Sequence, residues 1–187
     1  MKYIIHIDKA LFKLINGSWH SDFFDTLMPI IRNSKTWIPF YLFLLLISLF
    51  NFKKNKWRWI LFAAITPILT NYISSDLIKG NFWRLRPCND PQMTDSVRFL
   101  LTYRPQSSSF TSSHATNHFG LATFFYFTLK EYFGKWGLLF FLWAFIIVYA
   151  QIYVGVHYPV DILAGGVVGT FIGYISSKIF NTKFGLS

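Results

Sequence analysis

The sequence predicts an all-α fold: a polytopic membrane bundle of five transmembrane helices, preceded by an N-terminal amphipathic or interfacial helical region. Three observations lead there. Hydrophobic residues make up 53% of the 187 and aromatic residues 21%, whereas charged residues reach only 14%, well below the quarter or so usual in soluble domains. Long apolar runs recur along the chain, and a span of roughly 20 such residues crosses the hydrocarbon layer. Lysines and arginines gather between alternate runs, as in a chain that crosses and recrosses a bilayer. The length fits one membrane-embedded domain over residues 1–187.

Residues 1–34 carry apolar positions at helical spacing, Ile4, Ile5, Leu11, Phe12, Leu14 and Ile15, and a second run from Phe23 to Ile31. Neither run is long enough to span, so an amphipathic pair at the membrane surface is predicted, with Trp19 and His20 at its turn. Lys2, Asp8, Lys9 and Lys13 interrupt the first run and no small-residue cleavage site follows, so no secretory leader is predicted. His6 and His20 have no charged partner at an obvious spacing and read as structural.

The first clear span is Trp37 to Phe50, and a second runs from Trp57 to about Leu77. Lys53, Lys54, Lys56 and Arg58 between them make a basic turn, placed in the cytoplasm by the positive-inside tendency. Pro67 interrupts the hydrogen-bond ladder of the second span and predicts a kink. Residues 79–113 then form a long polar outer loop, and loops of that length in compact proteins usually carry function. Further spans run from His114 to Phe127, Trp136 to Val154 and Val160 to Phe180, with Lys130, Lys135, Lys178 and Lys183 at their cytoplasmic ends. Gly165, Gly169 and Gly173 repeat every four residues on the last span, so a neighbouring helix can approach closely there. This alternation puts the 79–113 loop, His114, His157 and Asp161 on one side of the bilayer.

The net charge of +10 suits a protein that meets anionic headgroups or phosphorylated substrates. Nucleic acid is disfavoured because the basic residues are scattered among hydrophobic spans. The single cysteine, Cys88, has no disulfide partner and no cysteine at metal-ligand spacing.

Three polar clusters fall on that common side. Lys79, Arg84 and Arg86 bring cations where the second span ends, and arginine's planar fork matches phosphate oxygens. The same residues would also serve as plain headgroup anchors. Thr111, Ser112, Ser113 and His114 stand at the start of the third span, where hydroxyls cap a helix and free amides bind anions. Finally, a helix starting at Tyr158–Pro159, with proline in its favoured first position, brings Asp161 within reach of His157. A carboxylate so placed holds one imidazole nitrogen protonated and leaves the other free as nucleophile or base. A structural His–Asp pair closing a helix start would look the same in sequence.

Taken together, the clusters resemble the type-2 phosphatidic-acid phosphatase superfamily, integral-membrane lipid phosphate phosphatases that share an active-site plan with vanadium-dependent haloperoxidases. The family's lysine, six residues, arginine, proline motif is matched by Lys79, Arg86 and Pro87. Its proline-serine-glycine-histidine motif is matched at Ser112 and His114, with Thr111 and Ser113 in place of proline and glycine. In its third motif His157 and Asp161 match, while Ala150 and Gln151 replace serine and arginine. Glutamine donates a hydrogen bond but brings no charge, and Arg84, Arg98 and Arg104 are the loop residues available to supply one.

The resemblance implies a metal-independent hydrolase of the acid-phosphatase type that needs no cofactor. His157, oriented by Asp161, would attack phosphorus, and His114 would protonate the leaving oxygen. Lys79, Arg86, Ser112, Ser113 and Gln151 would bind the phosphate. The substrate expected is a lipid or polyprenyl phosphate or pyrophosphate, and the location a cell inner membrane with the site on its periplasmic or extracellular face. The alternative is a non-catalytic lipid-phosphate binding or transport protein that has lost turnover. His118, four residues past His114, is expected to pack within the bundle.

Overall fold

A computed structural model describes residues 2–186. The helices are α1 (Lys2–Lys13), α2 (Asp22–Ile31), α3 (Ile38–Asn51), α4 (Lys56–Asn71), the short α5 (Lys79–Asn81), α6 (Ser113–Phe133), α7 (Leu139–Tyr153) and α8 (Pro159–Lys183). A π-helical stretch, Tyr72–Ile78, carries α4 into α5 without a break. Among the described residues, four helical runs are long and apolar enough to cross a membrane: Ser34–Asn51, Lys56–Asn81, Ser113–Tyr153 and Pro159–Lys183. The third run doubles back at the tight turn Gly134–Leu138. His118 packs on Trp143 and Phe125 on Phe140, with ring centroids 5.0 and 5.5 Å apart, contacts that an antiparallel hairpin makes and a straight helix cannot. The third run is therefore two antiparallel helices, α6 and α7, at the positions of the third and fourth spans expected from sequence.

The two ends of the bundle are chemically distinct. At one, Asn55 Nδ2 donates to the Phe184 carbonyl at 2.9 Å and the Tyr132 hydroxyl donates to the Leu186 carbonyl at 3.3 Å. These bonds bring the basic turns around Lys53–Arg58 and Lys130–Lys135 beside the end of α8. The opposite end gathers α5, the 79–113 loop, the end of α7 and the starts of α6 and α8. The alternation inferred from charge is thus the alternation of the fold.

Helix α6 runs through the middle of the core. Trp59 of α4 packs between Phe124 and Phe125, centroids 5.9 and 5.7 Å away, and donates its indole N–H to Thr128. Against α8 the contact is backbone on backbone. A Cβ on Gly169 would stand 2.2 Å from the Thr116 carbonyl oxygen, and one on Gly173 2.2 Å from that of Gly120. Only glycine allows this approach. Its consequence is positional, because the two helices are locked side by side in parallel with the start of α6 against the first turns of α8, and Ser112 N–H donates to the Asp161 carbonyl at 3.1 Å.

The N-terminal pair α1 and α2 forms as its periodicity predicts, with Ser21 capping α2 through a bond from Phe24 N–H. Tyr3, Ile4, Phe23 and Ile30 remain exposed, which suits an interfacial position. The inward face does more than lie on a surface. Phe12 and Met28 are buried, Asp8 accepts from Val160 N–H at 2.9 Å, and Asn16 Nδ2 donates to the Tyr153 carbonyl at 2.6 Å. Residues 2–34 therefore cap the polar end of the bundle.

Candidate active site

The start of α8 follows directly from its sequence. Pro159 occupies the first helical position and Tyr158 the N-cap in extended conformation, so Asp161 is the third helical residue and turns back to accept from Tyr158 N–H at 2.8 Å. This turn leaves Asp161 fully buried, with His157 Nδ1 3.6 Å from its Oδ2. Two more groups converge on the carboxylate. Arg84 Nη1 donates to Oδ1 at 2.7 Å, and the Ser109 hydroxyl donates to Oδ2. Ser109 Oγ is also 3.4 Å from His157 Nδ1 and so bridges the ring and the carboxylate.

The tautomer of His157 follows from its neighbours. Arg86 Nη1 lies 3.1 Å from His157 Nε2, and because guanidinium can only donate, Nε2 must offer its lone pair. The proton is then on Nδ1, facing Ser109 and Asp161. Burial pushes the imidazole down to about 4, the nearby Asp161 opposes that push and the Arg86 charge adds to it. The ring is neutral at physiological pH, with its free nitrogen pointed at a cation.

A stability consequence carries a definite sign. An unfolded histidine takes its proton near pH 6.5, whereas folded His157 resists it until about 4. Between these values the unfolded chain binds the extra proton, so stability falls as pH falls through that window. Thermal unfolding in detergent is expected to show a shallower pH dependence between about 6.5 and 4 in His157→Gln than in the parent. Parallel curves would contradict the buried, neutral imidazole.

Arg86 is held in the loop by bonds from Nε to the Ser107 carbonyl at 2.9 Å and from Nη1 to the Val156 carbonyl at 3.1 Å. Its fork is aimed by backbone of the loop and of the residue before His157. Lys79 is half-buried at the end of the α4–α5 run, and its charge acts on His157 together with that of Arg86. Ser112 caps α6, accepting from Ala115 N–H at 3.4 Å, which leaves the Ser113 and His114 amides at the helix mouth without an intrahelical acceptor. His114 stands one residue inside that mouth.

The two departures in this segment have partners. The Thr111 hydroxyl bonds Ser74 at 3.0 Å, and the Ser113 hydroxyl bonds Ser75 at 2.9 Å and Ser74 at 3.2 Å. These hydroxyls tie the start of α6 to the π-helical turn. The Ser113 side chain is thus engaged in the scaffold, and what it can offer a ligand is its backbone amide.

Arg84, expected in the cationic clamp, is placed differently. It forms ion pairs with Asp8 and Asp161 and lies over the Tyr158 ring, 4.2 Å from its centroid. Two carboxylates neutralise it, and its place is behind the His–Asp pair. Nor do the other loop arginines replace the missing charge at Gln151: Arg98 pairs with Asp25, and Arg104 donates to the Cys88 carbonyl and lies over Phe99. The residue that reaches Gln151 is Arg32, whose Nε donates to Gln151 Oε1 at 3.2 Å. Nothing local in sequence announces that contact across 119 positions. Asp8 and Ser109 were missed for the same reason. His118 is buried against Trp143 as expected.

An all-helical multi-pass bundle with a buried histidine, a carboxylate behind it and the Arg86 guanidinium before it defines a class of membrane protein. The comparison with known families names it. Residues 59–184 match the PAP2 superfamily, and the chain belongs to that family. It is 32% identical over 178 residues to a lipid A 4'-phosphatase of Bacteroides thetaiotaomicron, covering 94% of this chain and 77% of that protein. It is 28% identical over 181 residues to an undecaprenyl-diphosphatase of Sulfolobus acidocaldarius, covering 95% and 81%. Its fold is similar to the crystal structure of a PAP2-type phosphatidylglycerolphosphate phosphatase from Bacillus subtilis, with a TM-score of 0.70 at 20% identity over 98% of this chain and 88% of the other.

Proposed function

We propose that the chain is a membrane phosphatase that removes phosphate from a lipid or polyprenyl phosphate or pyrophosphate through a phosphohistidine on His157. The observation that carries this reading is the pair of contacts on one imidazole: Nδ1 faces Ser109 and Asp161 while the Nε2 lone pair faces Arg86. A phosphoryl group bound by Arg86 would lie in front of the one unprotonated nitrogen.

Attack by Nε2 forms the P–N bond as the P–O bond to the lipid breaks, and His114 gives its proton to the departing oxygen. His114 then takes a proton from the water that attacks phosphorus, and the P–N bond breaks to release phosphate and restore His157. Lys79, Arg86 and the Ser113 and His114 amides at the Ser112 cap stabilise the charge on the non-bridging oxygens, the larger part of the work in phosphoryl transfer. No metal ion is needed for this sequence. An apolar cleft of about 410 Å³ between α3, α4 and α6, bordered by Asn117 and His118, offers the hydrocarbon part of the substrate a place. The basic turns at the opposite end support an outer-face site.

Phosphate binding alone requires neither a buried His–Asp pair nor a second histidine, so turnover accounts for more of the site than a binding or transport role does. The test is phosphate release by purified protein in detergent with EDTA present, from phosphatidic acid, phosphatidylglycerol phosphate, undecaprenyl pyrophosphate and lipid A. Release that survives the chelator supports the reading and ranks the substrates, with lipid A first in line from the similarity above. Well-folded protein that releases phosphate from none of them would contradict it.

A further inference from the structure

Arg32 is a buried guanidinium in search of a counter-charge. It closes the C-terminus of α2, where the Trp37 indole and the Thr36 hydroxyl donate to the Ile31 and Ile30 carbonyls at 2.8 and 2.7 Å and fix the helix end. Met28, one turn earlier, packs into the cluster with Cys88, Ala150 and Tyr153, so the arginine is held against α7 at Gln151. It is only 9% exposed. Among the described residues it forms no ion pair, whereas Arg84 and Arg98 both do. An unpaired buried charge is expensive to keep.

Gln151 is fully buried as well. Its oxygen must face the Arg32 donor, so its amide NH2 points away, and that Nε2 has no hydrogen-bond partner among the described residues. Two adjacent groups, one charged and one neutral, thus present donors with nothing to receive them. They lie beside the site: Val156 N–H donates to the Gln151 carbonyl at 3.2 Å, and Arg86 Nη1 donates to the Val156 carbonyl at 3.1 Å. Burial lowers Arg86 from the usual guanidinium range, and Arg32 is the like charge that adds to it. Like charges gathered in one buried spot imply an anion that joins them.

We propose that Arg32, presented by Gln151, is a phosphate-binding residue of this site, with the free N–H groups of both side chains donating to non-bridging oxygens of the substrate. The inference rests on the phosphatase reading for its substrate but needs only an anion site for its test. The division of labour is specific. Charge comes from the end of an N-terminal helix, and α7 supplies the neutral amide that orients it. The N-terminal segment is then part of the binding site, and α2 must be docked on α7 for the phosphate to be fully held.

The test measures inorganic phosphate binding by its protection of the purified protein in detergent against thermal unfolding, alongside phosphate release. Loss of a charge-assisted bond predicts that Arg32→Ala weakens phosphate binding about ten- to a hundredfold and lowers turnover at least as much. The double variant Arg32→Ala/Gln151→Arg, which returns the charge from α7, should recover binding to within about tenfold of the parent. Arg32→Lys keeps the charge without the fork and should fall between parent and alanine; it carries the test if Arg32→Ala does not fold. Phosphate binding equal in the parent, Arg32→Ala and Arg32→Lys would overturn the proposal, as would a loss that the double variant leaves untouched. A parent that binds phosphate in an Arg32-dependent way but releases none from any lipid would overturn the phosphatase reading and leave this one standing.

Discussion

Replacing His157 by alanine is expected to abolish phosphate release, with a loss of at least three orders of magnitude in kcat. Where a covalent intermediate forms on the replaced atom, the remaining site retains only binding and charge stabilisation, and single deletions of such groups typically cost that much or more. The geometry supports a specific form of the loss. Arg86 is held by the Ser107 and Val156 carbonyls and the mouth of α6 by the Ser112 cap, none of which involves the imidazole, apart from the one Arg86 Nη1 contact. Inorganic phosphate should therefore still protect His157→Ala against unfolding while turnover disappears. A variant that keeps a tenth of the parent activity would mean that another group attacks phosphorus. Should phosphate protection vanish together with activity, His157 would be a scaffold residue of the anion site.

Asp161→Asn is expected to give the second largest effect, a loss of roughly a thousand- to ten-thousandfold in kcat, the scale seen when the carboxylate behind a catalytic histidine is neutralised without change of shape. Asparagine can still accept from Tyr158 N–H, so the start of α8 is preserved. It cannot stabilise the charge that His157 acquires as a phosphoramidate, and with its oxygen kept toward Tyr158, Ser109 and the imidazole its NH2 faces the Arg84 donor. Arg84 keeps its pair with Asp8, which limits structural damage. Because the anion ligands are elsewhere, KM should change much less than kcat. A large rise in KM with kcat preserved would place Asp161 in substrate binding rather than behind the nucleophile.

What the sequence revealed and what it hid divide along the distance between interacting residues. The spans, the tight hairpin of α6 and α7, the start of α8 at Pro159 and the glycine contact on α6 are all local or periodic features, and each is in place. So is the His157–Asp161 neighbourhood, set by a single helical turn. The site's remaining parts come from across the chain: Asp8 meets Arg84 over 76 positions, Ser109 meets Asp161 over 52, and Arg32 meets Gln151 over 119. No periodicity encodes such pairs. In sequence Arg84 therefore reads as part of the clamp, since a free cation and one already claimed by two carboxylates look alike there. The missing charge likewise reads as due from the nearby loop, whereas Gln151 meets an arginine of the N-terminal segment that hydropathy alone assigns to the membrane surface.

That N-terminal segment ties several observations together. Asp8 fixes Arg84 and the first turn of α8, Asn16 fixes the end of α7, and Arg32 meets Gln151. The family match covers residues 59–184, so each of these contacts joins a residue before the matched segment to one within it.

The most direct test of the central claim is to trap the intermediate. The protein is mixed with a lipid phosphate labelled in its phosphoryl group, quenched in alkali within a fraction of a turnover, digested and examined for label. Label is expected on the peptide containing His157, stable to alkali and lost in mild acid as a phosphoramidate is, and absent from His157→Ala. Label on His114 or on a hydroxyl residue, or rapid phosphate release with no labelled peptide at any quench time, would contradict that claim.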